Sequence, residues 1–111
     1  MYKIGIYLGT SNSLIAYWAE DGPVIIPNEF GERLTPSAVS VDENGDILVG
    51  RIAKERLITH PSRSAAAFKR FMGTQKRFDL GGISFTAEDL SSFVLKSLKA
   101  DAESHLGQVV T

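Results

Sequence analysis

A mixed α/β unit of hairpins with flanking helices is the fold class this sequence predicts, and three observations predict it. Two strand-like runs, YKIGIYLG and SLIAYWAE, enclose the polar turn GTSN, and a second pair, AVSV and ILVG, encloses Asp42-Glu43-Asn44-Gly45-Asp46. One long amphipathic segment then runs from Thr86 to Gly107. Hairpins followed by a late helix, with no linker, repeat or low-complexity tract between them, indicate one unit over residues 1–111 rather than two domains. The terminal VVT reads as the start of another strand, so the unit is expected to be incomplete.

The first run is enriched in β-branched and aromatic residues. Period-two alternation places Ile4, Ile6 and Leu8 on one face and Tyr7 on the other; in its partner it groups Leu14, Ala16 and Trp18 against Ile15 and Tyr17. Apolar residues on both faces predict a hairpin covered on both sides. After the breakers Glu20–Pro23, Val24-Ile25-Ile26 adds a third short strand, which Pro27 ends or confines to an edge.

NEFGERLTPS is loop-like, and the second hairpin follows it. In RIAKERLI the spacing of Ile52, Leu57 and Ile58 predicts a helix that His60-Pro61 stops. SAAAFKRFM is rich in helix formers, so a helix is expected there, with Gly73 as its left-handed cap. RFDL and ISF around Gly81-Gly82 predict a small hairpin. The last helix is the clearest: Thr86 and Asp89 have the spacing of a capping box, Leu90, Phe93, Val94, Leu98, Ala102 and Leu106 recur at core-facing intervals, and Gly107 is the natural stop.

Composition narrows the function classes. Twelve Lys and Arg against 13 Asp and Glu give a net charge of -1, which carries no electrostatic footprint for nucleic acid or an anionic membrane. The absence of cysteine excludes a disulfide framework, a thiolate metal site and a cysteine nucleophile, and suits the cytosol. No apolar run approaches the roughly 20 residues of a membrane helix, and MYKIGIYLG lacks the layout of a signal peptide. The expectation is a soluble, cytoplasmic protein.

The turn between the first two strands carries the one local signal for chemistry. Gly9 permits a tight turn, and Thr10, Ser11 and Asn12 add hydroxyl and amide donors beside main-chain N–H groups, a combination able to hold phosphate oxygens. The same residues are also ordinary hairpin chemistry, and neither GxxxxGK[ST] nor GxGxxG occurs. Lys69 and Arg70, taken alone, read as a solvated helix face.

Longer stretches resolve that ambiguity. IGIYLGTSNSLIAYW resembles the opening phosphate hairpin of the actin-like (ribonuclease H-like) ATPases, in particular of the DnaK-type heat-shock chaperones, the heat-shock protein 70 family. NEFGERLTPSAVSV, ILVGRIAKERLITHP, FKRFMG and DLSSFVLKSLKADAESHLGQVVT resemble further segments of the same family in the same order. The wording FGERLTPSAVSVDENGDILVG and the short loop before Thr86 are most similar to the HscC branch. The resemblance covers nearly the whole chain and implies the first lobe of a nucleotide-binding domain, with ATP or ADP and magnesium as ligands of the complete protein.

Carried over by position, the resemblance places the phosphate hairpin at residues 9–13, with Gly9, Thr10, Ser11 and Asn12 against the β- and γ-phosphates. It makes Lys69 the catalytic lysine that positions the attacking water and stabilises charge on the transferring phosphoryl group. Arg33 and Thr35-Pro36-Ser37 match family positions and are read as scaffold around the cleft. The implied partners are unfolded client proteins and a J-domain co-chaperone. One departure stands out: Tyr7 occupies the place of a family aspartate, and an uncharged, bulkier phenol is a poor ligand for hard cations.

His60 and His105 have no metal-site spacing, Asp42, Glu43 and Asp46 lack the pattern of a calcium loop, and Tyr17, Trp18, Phe68 and Phe71 read as core packing rather than a base-stacking surface. Two other functions compete with the chaperone: a small-molecule kinase or filament protein on the same actin-like fold, and a noncatalytic interaction module, which Tyr7 favours. With one phosphate hairpin and no opposing wall, this chain is not expected to hydrolyse ATP or to bind nucleotide tightly by itself. The resemblance also puts YKIGIYLG mid-sheet beside a strand that VVT barely begins, so the first strand is expected to expose an edge through which chains self-associate.

Overall fold

The computed structural model describes residues 3–107, and the expected strand at Val109-Val110-Thr111 lies outside them. The mixed α/β architecture is the expected one. β1 (Ile4–Leu8), β2 (Asn12–Ala19) and β3 (Gly22–Ile25) form an antiparallel meander, and the short β4 (Thr35–Pro36) joins β2 at Asn12 and Ser13. β5 (Ala38–Val41) and β6 (Ile47–Val49) form the second hairpin, and β7 (Ser64–Ala66) pairs with the other edge of β5. β8 (Arg77–Leu80) and β9 (Ile83–Thr86) form the third, turning through Gly81 and Gly82, both at positive φ as a tight two-residue hairpin turn requires.

Helix α1 (Arg51–Thr59) stops at His60-Pro61 as expected, and α2 (Ala87–Leu106) has the anticipated ends. The Thr86 hydroxyl accepts from the Asp89 N–H at 3.1 Å, the Asp89 carboxylate accepts from the Thr86 N–H at 2.9 Å, and Gly107 closes the helix in the left-handed conformation. Leu90, Val94, Leu98 and Ala102 are buried, with Phe93 and Leu106 partly so. This stripe packs α2 across β2, β5, β6 and β9, joining Ile15, Ile26, Val39, Val41 and Phe68 in one core.

Three expectations about helices are corrected. SAAAFKRFM is not an α-helix: Ser64–Ala66 is β7, and Phe68–Phe71 is a single 3-10 turn entered through Ala67 at φ 56. The fully buried β5 offers an edge with unpaired backbone groups, and satisfying them outweighs the small helix preference of alanine. Gly73, at φ 79, therefore follows a turn rather than capping a helix. In α1 the buried residue is Ala53; Ile52 is exposed and Ile58 is 86% exposed, so the short helix seats itself by its small residue and not by its isoleucines.

The first hairpin is covered on one side only. Cross-strand pairing puts Ile15 and Tyr17 opposite Ile6 and Ile4, on the face toward the core, and Tyr7 opposite Leu14. On that second face Tyr7 is 60% and Trp18 54% exposed, whereas Ile15 on the first is buried; Ile6, on the unpaired edge strand, is 47% exposed.

Candidate functional site

The β1–β2 turn is built from its back. Ser13 falls in phase with Ile15 on the inward face of β2, where a lone hydroxyl needs a partner. It finds Ser37: the two hydroxyl oxygens are 2.7 Å apart, and the Ser37 hydroxyl donates to the Gly9 carbonyl at 2.8 Å. With the Ser37 proton engaged there, Ser13 is the donor of the pair. The Ser37 N–H donates to the Ser11 carbonyl at 2.9 Å, and the Gly9 N–H to the Asn12 carbonyl at 3.1 Å. Asn28 braces this support, its side-chain amide donating to Thr35 Oγ1 at 3.3 Å. Residues 35–37 are thus scaffold, as expected, but the scaffold grips the turn directly. A serine on an apolar strand face was the available signal for this lock.

Gly9 is required by close approach. A Cβ at this position would collide with the Asn12 carbonyl oxygen and come within 2.7 Å of Tyr7 Cε2. The Tyr7 ring consequently lies over the glycine. In front of the turn, neither Thr10 nor Ser11 has a hydrogen-bond partner for its hydroxyl or N–H among the described residues. The turn therefore combines a fixed backbone with free donors.

Lys69 comes to the same place from the 3-10 turn. Its neighbour Phe68, 1% exposed, anchors that turn in the core, and the Lys69 ammonium sits 5.6 Å from the centroid of the Tyr7 ring. The structure thus brings Gly9, Tyr7 and Lys69 together around one exposed face, with Thr10, Ser11 and Asn12 in the adjoining turn. Arg33 is exposed and makes no side-chain bond among the described residues.

The donor set fits an anion and not a divalent cation. Hydroxyl, amide and ammonium groups all donate to phosphate oxygens, whereas magnesium calls for a carboxylate or a set of oxygen ligands. Among the described residues there is no group of three or more His, Cys, Asp or Glu that could hold a metal ion.

The remaining candidates are structural. The Asp42 carboxylate accepts from the N–H groups of Asn44 and Asp46, each at 2.9 Å, and so shapes its hairpin turn. Backbone hydrogen bonding, aided by Arg56 and His60, holds the exposed Glu43 carboxyl below its usual range. Burial, with the Glu29 charge as a lesser cause, pushes Asp101 up to about 6, but this group lies in a small cleft with Asn28, Thr35 and Arg51. His105 packs beside the Tyr17 ring. Among the described residues no helix is long and apolar enough to cross a membrane.

Antiparallel hairpin sheets with flanking helices agree with the N-terminal portion of an actin-like ATPase domain. The family model described as Hsp70 protein matches residues 3–80, and the chain belongs to the Hsp70 family. Membership makes it ATPase-domain sequence of a chaperone family, whose complete members bind nucleotide with magnesium, unfolded clients and J-domain co-chaperones.

Proposed function

We propose that this chain supplies the first phosphate-gripping element of a chaperone ATPase, with Gly9, Thr10, Ser11 and Asn12 holding phosphate oxygens and Lys69 acting on the phosphoryl group. The observation that carries this reading is the division of the hairpin: a buried serine pair fixes its back while the Thr10 and Ser11 donors stay free, with Lys69 over the Tyr7 ring that lies against Gly9. A fixed backbone with unpaired donors is preorganised for an oxyanion. The wording of residues 30–50 and the short loop before Thr86 support assignment to the HscC branch of DnaK-type proteins, and the cysteine-free composition suits a cytoplasmic setting. Addition of ADP to the labelled chain is expected to move the amide resonances of Gly9–Asn12 while leaving the distant Gly81-Gly82 turn still. Uniform shifts, or none at the hairpin, would remove the basis for the assignment.

The noncatalytic module remains the second reading, and Tyr7 favours it, since an uncharged ring stands against Gly9 and Lys69 where the family resemblance implies a carboxylate. Either reading leaves β1 paired, among the described residues, with β2 alone. Its outer backbone groups lie beside Ile6 and Tyr7, both exposed, with Lys3 as a lone charged guard. Pairing this edge with a second copy satisfies those groups at little cost. Sedimentation at micromolar concentration should show dimers or larger species; a strictly monomeric chain with fast amide exchange over residues 3–8 would contradict edge pairing.

A further inference from the structure

The residues brought together at the hairpin and Lys69, namely Gly9, Thr10, Ser11, Asn12, Tyr7 and Lys69, are neutral or positive, and none of them is an acid. Thr10 and Ser11 offer free N–H and O–H groups, and Lys69 brings an ammonium 5.6 Å from the Tyr7 ring centroid. The ring itself lies against Gly9, so close that a Cβ there would meet Cε2 at 2.7 Å. An aromatic face attracts the ammonium without neutralising it, because a ring quadrupole carries no net charge. Lys69 makes no ion pair among the described residues.

Such a face treats an anion and a divalent cation oppositely. A phosphate-type anion gains charge-assisted hydrogen bonds from the hairpin and the lysine. A magnesium ion finds no carboxylate to hold it or its waters, and the uncompensated ammonium repels it. We infer that this site binds pyrophosphoryl anions free of divalent metal, and that Tyr7 sets this preference by holding Lys69 over its ring where an acid would recruit a cation. The inference rests on the phosphate-binding reading and adds to it the charge state of the ligand.

Titration of the labelled 111-residue chain with inorganic pyrophosphate, once with a chelator and once with excess magnesium, separates the two. The Gly9–Asn12 amides are expected to shift with the chelator, and excess magnesium, which ties up pyrophosphate as its complex, is expected to weaken that response by about tenfold or more. Tyr7→Asp should weaken metal-free binding and make magnesium strengthen it by about tenfold or more. Tyr7 is exposed, so this replacement leaves the core alone. Lys69→Ala, which tests the anion partner separately, should weaken metal-free binding by about tenfold. Binding by the native chain equally well with magnesium, or only with it, would overturn the metal-free preference while leaving phosphate binding intact. Identical metal responses of the native and Tyr7→Asp chains would remove Tyr7 as its cause, and silence of the hairpin in both buffers would overturn the phosphate reading itself.

Discussion

Behind the Gly9–Asn12 turn, Ser13 and Ser37 are 0% and 3% exposed and direct their hydroxyls to each other and to the Gly9 carbonyl; in front of it, Thr10, Ser11, Tyr7 and Lys69 stand partly or wholly in solvent. The two sides of one hairpin thus use similar residue types for different ends. Buried hydroxyls must be paired and so determine the backbone. Exposed ones lose little by waiting, because water satisfies them until a ligand does. The same division runs through the 3-10 turn, where Phe68 enters the core and Lys69, the next residue, leaves it. Stability and binding are therefore expected to separate residue by residue, and substitutions on either side put that separation at risk.

Phe68→Ala carries the largest expected effect. The ring is fully buried in the core with Leu90 and Val94, and its removal leaves a cavity costing about 3–5 kcal/mol. The same change frees the turn that carries Lys69, so denaturant midpoint and any phosphate binding should fall together. A midpoint close to that of the native chain would show that Phe68 is not the anchor.

Ser37→Ala is the intermediate case. It removes the acceptor of the Ser13 hydroxyl and the donor to Gly9, leaving buried polar atoms unpaired at a cost of about 1–3 kcal/mol. The expected sign beyond stability is increased mobility of residues 9–12, visible as faster exchange of the Gly9 amide. Unaltered exchange with lowered stability would mean that the lock holds the sheets together rather than the turn.

How much of this was legible in the sequence follows the same division between local and distant causes. The capping box of Thr86 and Asp89, the Gly81-Gly82 turn and the stripe along α2 were readable, because each is decided by residues within a few positions of one another. β7 was not, since Ser64–Ala66 becomes a strand only through the open edge of β5, over twenty residues earlier. Ile58 looked like core, yet nothing in a single periodicity reveals that α1 rests on Ala53. At the site, Gly9 and the polar turn were visible from composition and Lys69 only by resemblance. The contact of Lys69 with Tyr7 spans 62 positions and needed the fold to exist.

Lys69→Ala should have the smallest effect on stability, and it tests the comparison most sharply because it adjoins Phe68. What the native lysine loses is an exposed contact with the Tyr7 ring, a type of interaction contributing about 0.5–1 kcal/mol at most in such surroundings. Alanine is also an acceptable residue in a short helical turn, so the backbone has no reason to move. Unfolding in urea should therefore stay within about 1 kcal/mol of the native value, while pyrophosphate response at the Gly9–Asn12 amides is weakened. A loss of stability comparable to that of Phe68→Ala would place Lys69 in the structural half of the turn, and the front of the hairpin would then no longer be a surface kept free for a ligand.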